Sequence, residues 1–74
     1  MSEIVKIASD VLGISVTEAQ KNSKEIPEIE AYYFWNSIRG GLAVIINSNG
    51  EKLAATSSVS YETHLQAFID GRRN

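Results

Sequence analysis

The sequence predicts one small α+β domain spanning residues 1–74, a three-stranded antiparallel meander with N- and C-terminal helices packed on one face. Three observations support this fold class. Apolar residues recur at helical spacing near both ends of the chain. Three short strand-like runs lie between residues 31 and 56. Glycine-containing turns separate those runs, as in a meander.

Composition limits how such a domain can be stabilised. A chain of 74 residues buries only about 60% of the surface that its unfolded form exposes. There is no cysteine and only one histidine, so neither a disulfide framework nor a thiolate zinc site is expected. We therefore predict no cofactor and no metal, and we expect a homodimer or a protein partner to add stability.

The charge and hydropathy patterns disfavour two classes of partner. Seven basic residues against nine acidic ones give a net charge of −2, which is not the basic footprint of a nucleic-acid-binding domain. No apolar run approaches the roughly 20 residues that span a membrane. No basic segment followed by an apolar stretch marks a signal peptide, so the sequence predicts a cytoplasmic protein.

The first helix is predicted over Ser2–Leu12. Ile4, Ile7 and Val11 lie on one helical face, and Gly13 can end the helix in a left-handed conformation. The next segment, residues 14–28, allows two interpretations. Ser15 with Glu18 forms a capping-box pattern that favours a short helix over residues 16–22, whereas residues 14–17 also alternate as a strand does.

The two helical patterns also allow a helix-turn-helix interpretation. A recognition helix needs side chains that contact bases and phosphates. The second helix would instead place Glu18 among them, in a domain of negative charge. Two packed helical turns are therefore the favoured interpretation, and Pro27 ends any helix before the strands begin.

The strands are predicted over residues 31–36, 42–47 and 52–56. Asn49-Gly50 is the preferred sequence of a two-residue type I′ turn. That turn sets Asn47 opposite Lys52 and Ile46 opposite Leu53. The alternation then divides the last two strands into a larger face that meets the helices and a smaller one. The larger face comprises Leu42, Val44, Ile46, Leu53 and Ala55, and the smaller face comprises Ala43, Ile45, Ala54 and Thr56.

The first strand carries four consecutive aromatic residues, 32–35, so two of them must point away from the helices. One helical layer cannot cover both faces of the sheet. We therefore predict an apolar patch formed by Tyr33, Trp35 and Ile45 on the open face, or by Tyr32 and Phe34 in the other register. Exposed patches of this kind often bind proteins. The alternative is that the second helix or a loop covers them.

The last helix is predicted over residues 60–70. Ser60 is a good N-cap, Tyr61, Leu65 and Phe68 share one face, and Gly71 ends the helix. His64 lies on the flank of that face, where a lone histidine is typically a packed polar residue. No nucleophile-elbow sequence accompanies it, so the sequence does not predict a Ser-His-Asp triad.

One end of the meander concentrates groups that can bind an anion. The topology brings the end of the first strand, the next turn and the end of the third strand close to the start of the last helix. A guanidinium, hydroxyls, free N–H groups and a positive helix end would suit a carboxylate or phosphate. The predicted set is Asn36, Arg39, Gly40, Gly41, Ser57 and Ser58. The simpler interpretation is that these residues only form turns and a cap.

The segments Tyr32-Tyr33-Phe34-Trp35-Asn36-Ser37, Gly41-Leu42-Ala43-Val44-Ile45-Ile46 and Asn49-Gly50 resemble a family of small bacterial domains. These are the α+β immunity proteins encoded beside polymorphic toxins, and the resemblance covers residues 31–69. The chain departs from that family in its short length and in lacking both a strand pattern before the aromatic strand and a Gly-x-x-Pro element. The resemblance implies a non-enzymatic protein that binds and blocks a partner, and it assigns no individual site residue.

Two functions follow as expectations. The first is a non-enzymatic protein–protein interaction module, acting through the aromatic strand with a second copy or another protein. The alternative is a small-ligand module that binds an anion at the end of the sheet.

Overall fold

A computed structural model describes residues 2–36, 41–56 and 58–73. The sheet has four strands in the order β1-β2-β3-β4, and each strand runs antiparallel to its neighbours. In chain order the elements are α1 (Ser2–Leu12), α2 (Val16–Lys21), β1 (Ser23–Ile26), a 3₁₀ turn (Pro27–Ile29), β2 (Ala31–Trp35), β3 (Leu42–Asn47), β4 (Lys52–Thr56) and α3 (Tyr61–Ile69). No helix in the described part of the chain is long and apolar enough to cross a membrane.

The N-terminal helices form where the local signals place them. α1 has the predicted bounds, and Gly13 follows it with φ of 69°. α2 begins after Ser15, whose side chain accepts a hydrogen bond from the Glu18 N–H at 3.1 Å. The helical interpretation of residues 16–22 is therefore the correct one, and the helix ends at Lys21, one residue earlier than predicted.

The prediction of three strands is wrong, because β1 adds a fourth. Its residues pair with the aromatic strand, with Lys24 opposite Tyr33 and Ile26 opposite Ala31. Only Ile26 is buried in this strand, so no apolar alternation marks it in the sequence. An edge strand of this kind is held by backbone hydrogen bonds to its neighbour, and composition does not record them.

The predicted two-residue turn is also wrong, by one position. Ile46 pairs with Lys52 and Ile45 pairs with Leu53, and the Asn47 N–H donates a hydrogen bond to the Glu51 carbonyl at 3.0 Å. The loop that this hydrogen bond closes contains three residues, 48–50. The Asn47 side-chain oxygen accepts hydrogen bonds from the N–H groups of Asn49, at 3.0 Å, and Glu51, at 2.9 Å. This Asx-type bonding, with Gly50 at φ of 85°, favours a type I turn followed by a left-handed residue.

The shifted register changes which residues of β4 share a face with β3. Ala54 now lies opposite Val44, on the face that meets α1 and α2. Leu53 lies opposite Ile45 on the other face. A one-residue slip turns every side chain of a strand to the opposite side of a sheet, so the predicted composition of the two faces was wrong for β4.

The prediction that the terminal helices pack on one face is wrong. They pack on opposite faces, each over its own buried cluster. The first cluster joins α1 and α2 to one side of the sheet and comprises Val5, Ala8, Leu12, Ala19, Phe34, Val44 and Ile46. The second joins α3 to the other side and comprises Ile26, Ala31, Ile45 and Phe68.

The helices lie on opposite faces because both sides of the sheet carry apolar side chains that need to be buried. Burying one isoleucine or phenylalanine side chain contributes about 1.5–3 kcal/mol. A helix pair on one face would leave Ile26, Ile45 and Leu53 in water. α3 follows the edge strand β4, and from there it covers the second face with Phe68.

Candidate functional site

The three residues predicted to bind a partner have different environments. Ile45 is 0% exposed and belongs to the second cluster, so it cannot contact a partner. This part of the prediction is wrong, because α3 covers the face that was expected to be open. Tyr33 and Trp35 lie on that same face and are half-buried.

Tyr33, Trp35 and Tyr61 form an aromatic patch at the margin of the surface that α3 covers. The Tyr33 and Trp35 ring centroids are 5.7 Å apart with the planes 33° from parallel. Tyr61 meets Tyr33 edge-on, at 4.8 Å and 86°. All three rings are half-buried, so each is fixed by packing and also reaches solvent. This combination of rigid position and accessible ring is typical of interface anchors.

Lys24 adds a positive charge to the aromatic patch. It lies opposite Tyr33 in the sheet, and its Nζ is 4.5 Å from the centroid of the Tyr61 ring. A lysine over an aromatic ring is held by a cation–π interaction of about 0.5–1 kcal/mol at an exposed site. The side chain of Lys24 is exposed, so its charge is available to a partner.

The local sequence explains why three of these four residues, Tyr33, Trp35 and Tyr61, lie where they do. Tyr33 and Trp35 are two residues apart on β2, so alternation sends both to one face. Tyr61 is the first residue of α3, whose N-cap Ser60 accepts a hydrogen bond from the Thr63 N–H at 3.2 Å. The sequence pattern marks Tyr61 only as a core residue of its helix, and it gives no sign of a role for Lys24. Tyr61 and Lys24 come close to Tyr33 only because β1 pairs with β2 and α3 packs on this face, and the sequence pattern predicted neither feature.

Burial raises the pKa of the Tyr33 phenol above 10.0, and the neighbouring Tyr61 phenolate raises it further. The folded protein therefore keeps this proton at a pH where the unfolded chain releases it. The contribution of this shift to folding stability is fully present below pH 10.0 and is lost as the pH rises through the raised pKa of Tyr33. An alkaline titration followed by phenolate ultraviolet absorbance should show one tyrosine ionising late. Tyr33→Phe should remove that late step, and a Tyr33→Phe protein that retained it would contradict the assignment.

The predicted anion site falls partly outside the described residues, which do not include Arg39, Gly40 and Ser57. Gly41 is described and half-buried. The Asn36 side-chain amide donates a hydrogen bond to the Leu12 carbonyl at 3.1 Å, which ties the end of β2 to the end of α1. The Ser58 hydroxyl shares a hydrogen bond of 2.7 Å with the Thr56 hydroxyl. Anion binding at this end of the sheet stays a prediction.

His64 is a buried residue between α3 and the sheet. Its exposure is 1%, and its Nε2 lies 2.7 Å from the Leu53 carbonyl oxygen. Asp70 accepts a hydrogen bond from the Gln66 amide at 3.0 Å. Among the described residues, no three histidine, aspartate or glutamate side chains are grouped so that they could hold a metal ion.

Comparisons of the chain with protein-family models, with curated proteins and with solved structures found no match. Function is therefore inferred from the position, burial and chemistry of the side chains just described.

Proposed function

We propose that this domain is a non-enzymatic protein-interaction module whose docking surface is the aromatic patch of Tyr33, Trp35 and Tyr61, with Lys24 at its margin. The observation that supports the proposal most strongly is the pair of half-exposed rings on β2, held 5.7 Å apart. Tryptophan and tyrosine are enriched among the few residues that dominate binding energy at protein interfaces. They also lose little conformational entropy when they bind.

The edge of β1 is less suited to self-association than the aromatic patch is. The Trp35 N–H donates to the Asn22 carbonyl at 3.1 Å, so by alternation the backbone groups of Ser23 and Glu25 point away from the sheet. Two copies pairing antiparallel along this edge would set Lys24 opposite Lys24 in the register centred on Lys24, and Glu25 opposite Glu25 in the register centred on Glu25. Like charges directly opposite one another destabilise a strand pair. Charged residues on edge strands commonly prevent such pairing.

An immunity-type role, in which the domain binds and blocks another protein, fits the same surface. The resemblance of the aromatic and glycine-bounded strands to those proteins implies a further strand before the aromatic one. β1 occupies that place, although its sequence carries no strand pattern. The partner would then be a different protein, and a second copy of this chain would be the competing occupant of the aromatic patch.

Trp35→Ala should weaken partner binding about 30-fold or more while the domain stays folded. Loss of an interface anchor costs about 2 kcal/mol or more, which corresponds to a dissociation constant roughly 30 times larger. The measurement is affinity capture from the source cells followed by calorimetric titration of the purified partner. Sedimentation of both proteins determines whether the partner is a second copy.

Val16→Ala is the matched control, because Val16 is 43% exposed and lies on α2, outside the aromatic patch. It should bind as the unmodified chain does. Equal binding by the Trp35→Ala protein, or a loss with Val16→Ala alone, would contradict the proposed docking surface. Circular dichroism of both variants confirms that a loss of binding is not a loss of folding.

A further inference from the structure

The outer edge of β1 carries backbone groups that no other strand in the described part of the chain covers. β1 stands at one end of the sheet order, so its outer edge faces away from β2. The Trp35 N–H donates to the Asn22 carbonyl at 3.1 Å, and in an antiparallel pair bonded and unbonded residues alternate. The N–H and C=O groups of Ser23 and Glu25 therefore point outward, where they can pair with a further strand.

The opposite edge of the sheet, formed by β4, is less available to a further strand. The Thr56 carbonyl at its end accepts a hydrogen bond from the Val59 N–H at 3.0 Å, and the chain continues from there into α3. β4 is half-buried along most of its length, whereas Lys24 and Glu25 of β1 are exposed. An added strand is therefore expected at β1.

The two central residues of β1 present opposite charges on opposite faces of the sheet. Lys24 lies beside Tyr61 on the α3 face, and Glu25 lies opposite Tyr32 on the face of α1 and α2. Neither charge forms an ion pair with another described residue. Opposite charges directly across a strand pair stabilise it. An added strand would therefore gain most from a carboxylate opposite Lys24 and a cation opposite Glu25.

A pocket next to Glu25 favours a long basic side chain at that position. Its volume is about 220 Å³, and it is lined by Glu25, Pro27, Glu30, Ala31, Tyr32 and Ser48. Neighbouring strands lie about 4.8 Å apart, so a lysine or arginine of an added strand can reach this pocket. There its charge would meet two carboxylates, and its methylene groups could pack on the Tyr32 ring.

We propose that the outer edge of β1 receives an extended strand of a different protein, paired antiparallel, with a basic residue opposite Glu25 and an acidic residue opposite Lys24. Because the two strands run in opposite directions, the partner strand carries the basic residue immediately before the acidic one. Strand addition of this kind derives its affinity from main-chain hydrogen bonds and its specificity from alternate side chains.

A second copy of this chain cannot supply that strand through its own β1. The residue opposite Glu25 must direct its backbone groups at Glu25, and in a second copy the backbone groups of Lys24 are directed at β2. The registers of greatest overlap then bring two lysines or two glutamates together, which destabilises the pair. This binding mode does not require the aromatic patch, so either proposal can fail without the other.

Two synthetic peptides of equal composition test the charge order. Acetyl-Thr-Val-Lys-Glu-Thr-Val-amide carries the predicted order, and acetyl-Thr-Val-Glu-Lys-Thr-Val-amide carries the reverse. Titration is followed by the backbone amide chemical shifts of the isotope-labelled domain. The first peptide should shift the Ser23 and Glu25 amides most, because their N–H groups gain acceptors. The second should bind about fivefold more weakly, because its charges oppose those of β1.

The double variant Lys24→Glu/Glu25→Lys exchanges the two charges and should reverse the preference between the peptides. The proposal would be overturned if the unmodified chain bound both peptides equally, or if the double variant kept the original preference. It would also be overturned if neither peptide moved the Ser23 and Glu25 amides at millimolar concentration, or if the shifts centred on Tyr33 and Trp35 instead.

Glu25→Pro tests the main-chain hydrogen bonds. It removes one outward N–H and leaves the bonds between β1 and β2, because a strand tolerates proline where its N–H faces out of the sheet. Binding of the first peptide should weaken about tenfold or more. Glu25→Gln is the matched variant, which keeps the N–H and should bind more tightly than Glu25→Pro. Equal binding by Glu25→Pro and Glu25→Gln would exclude strand addition, and the peptide titrations of the unmodified chain decide the matter if Glu25→Pro does not fold.

Discussion

Phe34→Ala is expected to destabilise the domain by about 3–5 kcal/mol, the largest loss from any single truncation that we predict. Phe34 is 0% exposed and lies in the cluster that joins α1 and α2 to the sheet. Removing the ring leaves a cavity that these surrounding elements can fill only in part. A domain of 74 residues has a total stability of about 4–11 kcal/mol, so the loss would range from about a quarter of the total to all of it. Urea unfolding followed by circular dichroism measures the change.

The neighbouring Trp35 is the control for this prediction. Its side chain is larger than that of Phe34, but it is half-buried on the opposite face of the same strand. Trp35→Ala should therefore cost clearly less stability than Phe34→Ala, although it removes more atoms. If the two variants lost equal stability, or if Trp35→Ala lost more, the alternation of β2 between a core face and the aromatic patch would be wrong.

Ile45→Ala is expected to cost about 2–5 kcal/mol, because Ile45 is fully buried between the sheet and α3. This prediction separates the observed fold from the one expected from sequence. With both helices on the other face, Ile45 would be exposed and its truncation would change stability by no more than about 0.5 kcal/mol. The measurement is again the urea midpoint. It is compared between proteins with the same m-value, the slope of the unfolding free energy against urea concentration.

Ile69→Ala offers a control of the same residue type. Ile69 ends α3 and is 52% exposed, so its truncation should change stability by about 0.5 kcal/mol or less. Similar losses in the two isoleucine variants would show that α3 does not cover the second face. A large loss for Ile45 alone would support a sheet with a helical layer on each side.

Local signals were sufficient for the helices. The apolar spacing and Gly13 predicted α1 with the observed bounds, and the capping box at Ser15 indicated the start of α2. The bounds of β3 and β4 also agree with the alternation of their residues. In each case the deciding interactions lie within a few residues of one another, so the sequence pattern carries the information.

Features that depend on more distant partners were not predictable in this way. β1 exists because the aromatic strand offers it a free row of backbone groups, and its own residues have little tendency to form a strand. The three-residue loop after β3 depends on the Asn47 side chain bonding forward to Asn49 and Glu51, which a dipeptide rule omits. That loop in turn decided which side of β4 faces which helix.

In the candidate site, too, some features depend on nearby residues and others on distant partners. The sequence alone placed Tyr33 and Trp35 on one face of a strand, because alternation is a local property of extended backbone. It could not show that Ile45, on that same face, would be covered, or that Tyr61 and Lys24 would join the two rings. Those outcomes depend on the path of the chain after β4, which carries α3 to the second face. The sequence by itself thus determined the elements and the aromatic strand. The tertiary structure decided which rings stay accessible, because burial depends on what packs over a residue and not on the residue alone.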